Sequence, residues 1–226
     1  MVETRREMWP KLSKSRPNLY DRIRGSLSKG LAGSRVKEKE ALKEATLDLV
    51  AQALDARDLV IARHSVRVAA LAARLTQQCD LGQRHVELMR MAGKLHDLGM
   101  IGVRDDILNK PGPLNGDEWE IMRCHPDIGA DMIQWHPALA IVAPLVRHHH
   151  ERWDGSGYPA GLKGEVVPMG ARILAVAESF DTIINKRIYR ANPLSSVDAI
   201  RDISEHSGSW YDPAVVEALR VLSDTT

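Results

Sequence analysis

Eight of the nine histidines fall between His64 and His150, a stretch that also holds the pair His96-Asp97, a separate His125 and the triplet His148-His149-His150. Imidazole and carboxylate are the ligands that zinc, iron and manganese take, and two adjacent metals need several such donors with one carboxylate able to bridge. The supply here is enough for a two-metal site. Most single histidines are hydrogen-bonded surface or core residues, and His85 and His136 are assigned there. The His96-Asp97 pair, closing an apolar helix, is assigned to metal instead. Adjacent residues on a helix diverge by about 100°, so His149 and His150 serve one cluster only if both point into it. His148 leaves the choice within the triplet open.

Ligands this far apart in sequence meet only if the fold carries them together, and the periodicity predicts helices for that task. Leu47, Val50, Ala51 and Leu54 open one apolar stripe, and Ile61, His64, Val68, Leu71 and Leu75 form a second at three-to-four spacing. A third helix over roughly 83–98 ends in Lys94-Leu95-His96-Asp97. Asn115-Gly116-Asp117-Glu118 reads as a capping box before a helix leading to His125, where Pro126 interrupts that helix or starts the next. Pro137 suits a first turn ahead of Leu139, Val142 and Val146, running toward His149. Residues 153–164 are Gly-rich loop. Pro168 opens a helix through Ile173, Val176 and Phe180, and Asp212-Pro213 caps a last one with Val215, Val216 and Leu219. No stretch alternates with period two for long enough to form a sheet, so an all-α fold is expected.

Met1 to about residue 40 is basic and broken by proline and glycine, which predicts a tail or adaptor (1–40) ahead of one large domain (41–226). With 44% hydrophobic and 27% charged residues the composition is that of a globular chain able to bury a core. The net charge of +1 gives no global reason to bind a nucleic acid polymer, so an anionic substrate must be held locally. No run approaches the ~18 apolar residues of a membrane span and no signal peptide opens the chain, so a cytoplasmic protein is expected. Cys79 and Cys124 form no framework and read as packing residues.

The order His64, His96-Asp97 and a downstream carboxylate resembles the HD phosphohydrolase superfamily. The run His149-His150-Glu151-Arg152-Trp153-Asp154-Gly155-Ser156-Gly157-Tyr158-Pro159 resembles, more specifically, the signature of HD-GYP domains. LeuHisAspLeuGly at 95–99, LysProGly at 110–112, GlyLeuLysGlyGlu at 161–165 and TyrAspPro at 211–213 extend the likeness over roughly 45–224.

The resemblance implies an HD-type helical bundle that hydrolyses cyclic di-GMP to linear pGpG, with a further step to GMP left open. It implies His64, His96, Asp97, His125, His149, His150 and Glu178 as ligands of two divalent ions, iron or manganese, with Asp97 bridging. His96, Asp97 and Asp181 are thereby placed at the catalytic centre, Asp181 orienting a ligand or water. Arg187 and Arg190 are implied as phosphate contacts, a task that suits the guanidinium fork. Tyr158 stacks on or borders a guanine, or else the Gly-Tyr-Pro loop is structural or contacts a signalling-protein partner. Oligomeric state stays open. The sequence departs from the family pattern at Glu178, where aspartate is usual, and at Val60, where some members carry a third-metal acid. It departs again at Met100, where a lysine is usual, and at Ile61, where threonine is common. Met100 and Glu178 support an alternative expectation, a low-activity or inactive cyclic di-GMP receptor that keeps the fold.

Overall fold

A computed structural model describes residues 32–185 and 193–224. The chain divides into two units, 1–42 and 43–226, and the described residues of the first, 32–42, are helical. Residues 1–31 of the expected tail, and Arg187 and Arg190, lie outside the described residues. Among the described residues every regular element is helical, which is the expected all-α class, and no helix is long and apolar enough to cross a membrane.

Helix α1 (Ala32–Arg57) begins well before the stripe at Leu47. Its first turns are rich in lysine and glutamate, residues that favour helix without needing an apolar face, so periodicity alone does not reveal them. Helix α2 (Leu59–Gln78) starts where Asp58 accepts hydrogen bonds from the backbone N–H groups of Val60 and Ile61 at 2.7 and 3.2 Å. It buries Ile61, His64, Val68, Ala72 and Leu75 along one face, placing His64 among core residues rather than in solvent. Each fully buried residue of the size of Val68 or Leu75 contributes about 1.5–3 kcal/mol.

Helix α3 (Gln83–Leu95) packs on α2 through Val86, Met89, Ala92 and Leu95. At the crossing, a Cβ on Gly93 would lie 2.5 Å from the Ala69 Cα, so glycine is what lets the two backbones approach. That approach sets His64 against His96, whose ring centroids are 5.3 Å apart. A 3-10 turn (Leu98–Gly102) follows, then α4 (Asp105–Leu108) and α5 (Gly116–Met122). The α5 capping box is formed as expected, with Asn115 and Glu118 each accepting from the other's backbone N–H.

Pro126 starts helix α6 (His125–Ile133) rather than interrupting its predecessor. Helix α7 (Ala143–Arg147) starts at Ala143, after a 3-10 turn at Ala140–Val142, and not at Pro137. Pro144 accounts for this, because it fits a first helical turn but not an interior. The chain therefore leaves the helix before His148-His149-His150, so the 100° divergence of helical neighbours does not apply to them.

Helix α8 (Met169–Ile184) packs on α2, and α9 (Ser196–Glu205) and α10 (Pro213–Asp224) cover it. The short α9 went unread from periodicity, yet its signal is local: Ser195 accepts from the Asp198 N–H as its cap. Ile173, Leu174, Val176, Ile203, Val215 and Leu219 close the core beneath the histidines.

Candidate metal centre

Three of the histidines stand just after a helix ends, at the place where the last carbonyls have no intrahelical donor. His96 follows α3 and its Nδ1–H donates to the Gly93 carbonyl at 2.8 Å. His125 follows α5 and donates to Met122 at 2.9 Å, and His149 follows α7 and donates to Val146 at 2.6 Å. Each carbonyl lies three residues before its histidine. His64, in mid-helix, has no such carbonyl, and its Nδ1 donates instead to the Asp181 carboxylate at 2.6 Å. In all four rings Nδ1 donates to a protein oxygen and Nε2 is left facing the centre, the orientation of metal-ligating histidines.

These lone pairs converge. His64, His96 and Glu178 form one group and His125, His149 and His150 another, with the donor atoms inside each group within 4.8 Å of one another. Asp97 stands between them: its Oδ2 is 3.3 Å from His96 Nε2 and 3.9 Å from His64 Nε2, while its Oδ1 is 3.5 Å from His125 Nε2. One carboxylate thus offers one oxygen to each group. Glu178 also reaches toward the second group, with its oxygens 3.9 Å from His149 Nε2 and 3.8 Å from His150 Nε2.

The donor set fits a cation. His96 Nε2 and Asp97 Oδ1 are buried with no hydrogen-bond partner, a costly state for a polar atom unless something else satisfies it. His125 and His149 point Nε2 at Nε2 across 3.2 Å, and with both Nδ1 atoms protonated neither ring has a proton to offer the other. A shared cation removes that conflict.

Electrostatics agree. Burial, aided by neighbouring imidazoles, pushes His149 and His150 well below the ordinary histidine range, and burial lowers His125. Burial alone would raise the Asp97 carboxyl, but His96, His125 and His64 hold it well below the usual carboxylate range. Burial likewise opposes charge on His96, yet Asp97 pushes it up to about 9. Neutral imidazoles and an ionised carboxylate are the forms that bind metal, so a cation here competes with a proton on His96.

Behind His64 lies an arrangement the sequence reading missed. Arg67 donates to both oxygens of Asp181, Nε to Oδ1 at 2.6 Å and Nη2 to Oδ2 at 2.9 Å. Asn185 donates a second bond to Oδ1 at 3.1 Å. Burial raises the Asp181 carboxyl, but the bonds from His64 and Arg67 prevail and lower it. Asp181 therefore faces the ring of His64 and not the cleft. Arg67 sits three residues beyond His64 on the same helix face, which is the one signal that could have found it.

Glu151, inside the signature run, is buried and accepts the N–H groups of Ala160 and Leu162 at 2.7 and 3.1 Å, tying down the Gly-rich loop after His150. His148 belongs to neither donor group, and its Nδ1 lies 3.4 Å from Glu151. His136 accepts from the Ala138 N–H at 3.2 Å, away from the cluster.

The donors open into a cleft of about 460 Å³ lined by His64, Asp97, His125, His150 and Glu178 at one side. Val60, Ile61 and Met100 line it too, so with Glu178 all four departures from the family pattern face the cleft. Tyr158 also borders it, but its ring is already covered: the His150 imidazole stacks on it at 4.8 Å and the Arg123 guanidinium lies over it at 4.8 Å.

Residues 48–215 match the HD domain family. A cyclic di-GMP phosphodiesterase of Thermotoga maritima is 41% identical over 178 residues, covering 78% of this chain and 48% of that protein. A cyclic di-GMP phosphodiesterase response regulator of Xanthomonas campestris is 36% identical, covering 86% and 51%. A 3'3'-cGAMP-specific phosphodiesterase of Vibrio cholerae is 32% identical, covering 84% and 37%. The chain spans about half the length, or less, of these relatives. Among solved structures, an HDG"Y"P protein from Bdellovibrio bacteriovorus superposes with a TM-score of 0.62 at 19% identity, covering 84% of this chain and 64% of that one, a likeness of fold.

Proposed function

The chain belongs to the HD domain family, and on that premise we propose that it is a metal-dependent phosphodiesterase hydrolysing cyclic di-GMP to linear pGpG and onward to GMP. The observation that carries this reading is the division of the donors into two groups with Asp97 between them. The names of the Thermotoga and Xanthomonas relatives support the substrate. We assign two divalent cations, iron or manganese, one to His64, His96 and Glu178 and the other to His125, His149 and His150. Bound there, such cations supply Lewis acidity, activating water for attack on phosphorus and stabilising charge on the phosphoryl oxygens.

The rest of the work falls to the chain's own residues. Asp181 acts as a positioning residue, holding Nδ1 of His64 so that Nε2 faces the centre, as the helix-end carbonyls do for His96, His125 and His149. The apolar walls at Ile61, Met100, Ile107 and Leu114 exclude water and strengthen every charge interaction inside. Arg187 and Arg190 are assigned to the phosphates, and Tyr158 to a place beside the substrate, where its covered ring serves as a wall. The Gly157-Tyr158-Pro159 loop is the assigned contact for a signalling-protein partner, residues 41–226 the catalytic domain, and the cytoplasm its compartment.

The test is to purify the protein without oxygen, measure its metal, load iron or manganese and follow cyclic di-GMP by chromatography. Metal-dependent pGpG or GMP at many turnovers per protein is expected. Intact cyclic di-GMP after prolonged incubation of the loaded protein would overturn the reading.

A further inference from the structure

One wall of the cleft is built by residues 107–122, and apart from Lys110 its lining is without charge: Ile107, Leu108, Leu114, Trp119 and Met122. Helix α5, which carries Trp119 and Met122, has no buried residue among its seven. It is held by its capping box and by an ion pair in which Lys110 Nζ donates to Glu118 Oε2 at 2.6 Å, and not by burying its apolar side chains in the core. Trp119 is 48% exposed, and it faces the same cleft as the metal donors. A large indole left half in water costs free energy, and an apolar surface in a polar-floored cleft is the ordinary mark of a ligand site.

Resting on the phosphodiesterase reading above, we infer that Trp119 is the stacking platform for a purine base of the substrate. Apart from the histidines, Trp119 and Tyr158 are the aromatic side chains among the described lining residues. Tyr158 has an imidazole stacked on its ring and a guanidinium over it, which leaves the indole as the aromatic surface able to take a base. The chemistry matches: a purine is a flat bicycle of nearly the area of indole, and a π-face accepts it without requiring a hydrogen-bond pattern. Met122, one turn on from Trp119, adds a polarisable thioether that packs well against an aromatic ring. A cyclic dinucleotide lying this way would have its phosphate toward the carboxylate-bridged donors and one base against α5.

The experiment is equilibrium dialysis of the metal-loaded full chain with the hydrolysis-resistant phosphorothioate analogues of cyclic di-GMP, 3'3'-cGAMP and linear pGpG. The parent is compared with Trp119→Ala, Trp119→Leu and Trp119→Phe, and metal content and melting temperature are recorded for each. Loss of a stacked base weakens binding by about 5- to 150-fold, so that loss is expected for Trp119→Ala. Trp119→Leu should stay weak because it restores apolar bulk without a π-face, while Trp119→Phe should recover most of the affinity. Parent-like binding by Trp119→Ala, or equal recovery by Leu and Phe, overturns the platform alone. A parent that binds none of the three probes overturns it together with the functional reading on which it rests.

Discussion

Gly99→Ala tests whether the backbone, and not only the ligand side chains, sets the metal centre. Gly99 lies two residues after Asp97, in the 3-10 turn packed against the start of α6. A Cβ there would sit 1.9 Å from the His125 carbonyl oxygen, 2.6 Å from the Gly129 nitrogen and 2.8 Å from the His125 carbonyl carbon. Ordinary contact begins near 3.4 Å, so something must yield by about 1.5 Å, and every atom in the way is backbone that cannot rotate aside. The yielding pieces are the ones that carry Asp97 and His125, whose Oδ1 and Nε2 are 3.5 Å apart. Overpacking of this kind costs about 1–3 kcal/mol, and at about 2–4 °C per kcal/mol the melting temperature should fall by roughly 2–12 °C. Calorimetry of the metal-free protein reads that term. Metal retained after dialysis reads the second, a weakened second donor group. Gly102→Ala is the control, since its Cβ would meet nothing but the movable side chain of Ile128, at 3.0 Å and beyond. A Gly99→Ala protein that melts with the parent and keeps its metal would refute the reasoning.

Four further outcomes are expected. Asp97→Ala removes the carboxylate that stands between the donor groups with one oxygen toward each and should lose both cations and activity together, so full metal content measured by mass spectrometry would break the assignment. Arg67→Gln should weaken metal binding by about 10- to 100-fold through a loosened His64, with little change in the melting temperature of the metal-free protein. Arg67→Lys should recover little of it, because an ammonium cannot reproduce the fork on Asp181, and full recovery in a metal titration would reduce the effect to charge. Met100→Lys puts a cation into the cleft; at ~4 Å from a phosphate it is worth about 1 kcal/mol in water and more when shielded, so hydrolysis of cyclic di-GMP should rise at least about fivefold, and an unchanged rate would show that other groups hold the phosphate. Cys79 is partly buried near Asp212, and burial followed by that charge raises its thiol above the ordinary range. Its folded pKa exceeds its unfolded one, so its contribution to stability is complete below the unfolded pKa and fades as pH rises through the folded value. Alkylation of Cys79 should therefore be slower at pH 8 than after unfolding, and equal rates would contradict the burial.

The side chains that the structure gathers into the two donor groups were legible because residue type and motif carry them: His64 falls on the apolar stripe of α2, His96-Asp97 closes α3, and His149-His150 opens a signature too long to arise by chance. The class of fold was legible for the same reason, since three-to-four spacing survives wherever a helix buries one face. What failed was the placing of helix ends and starts. Apolar spacing carries α3 to about 98, whereas the helix stops at Leu95; it runs α7 toward His149, whereas that helix stops at Arg147; and it opens α1 at Leu47, whereas α1 starts at Ala32. Two of those errors hid the main device of the site. A carbonyl is available to orient an imidazole only past the last intrahelical bond, so a helix read two or three residues too long makes the Gly93 and Val146 carbonyls look already satisfied. The same physics explains why His64 alone needed Asp181 and Arg67: in mid-helix the carbonyl three residues back lies under the helix's own hydrogen-bond ladder, and the ring's proton must go to a side chain from another element, 117 residues away, that no local pattern can announce.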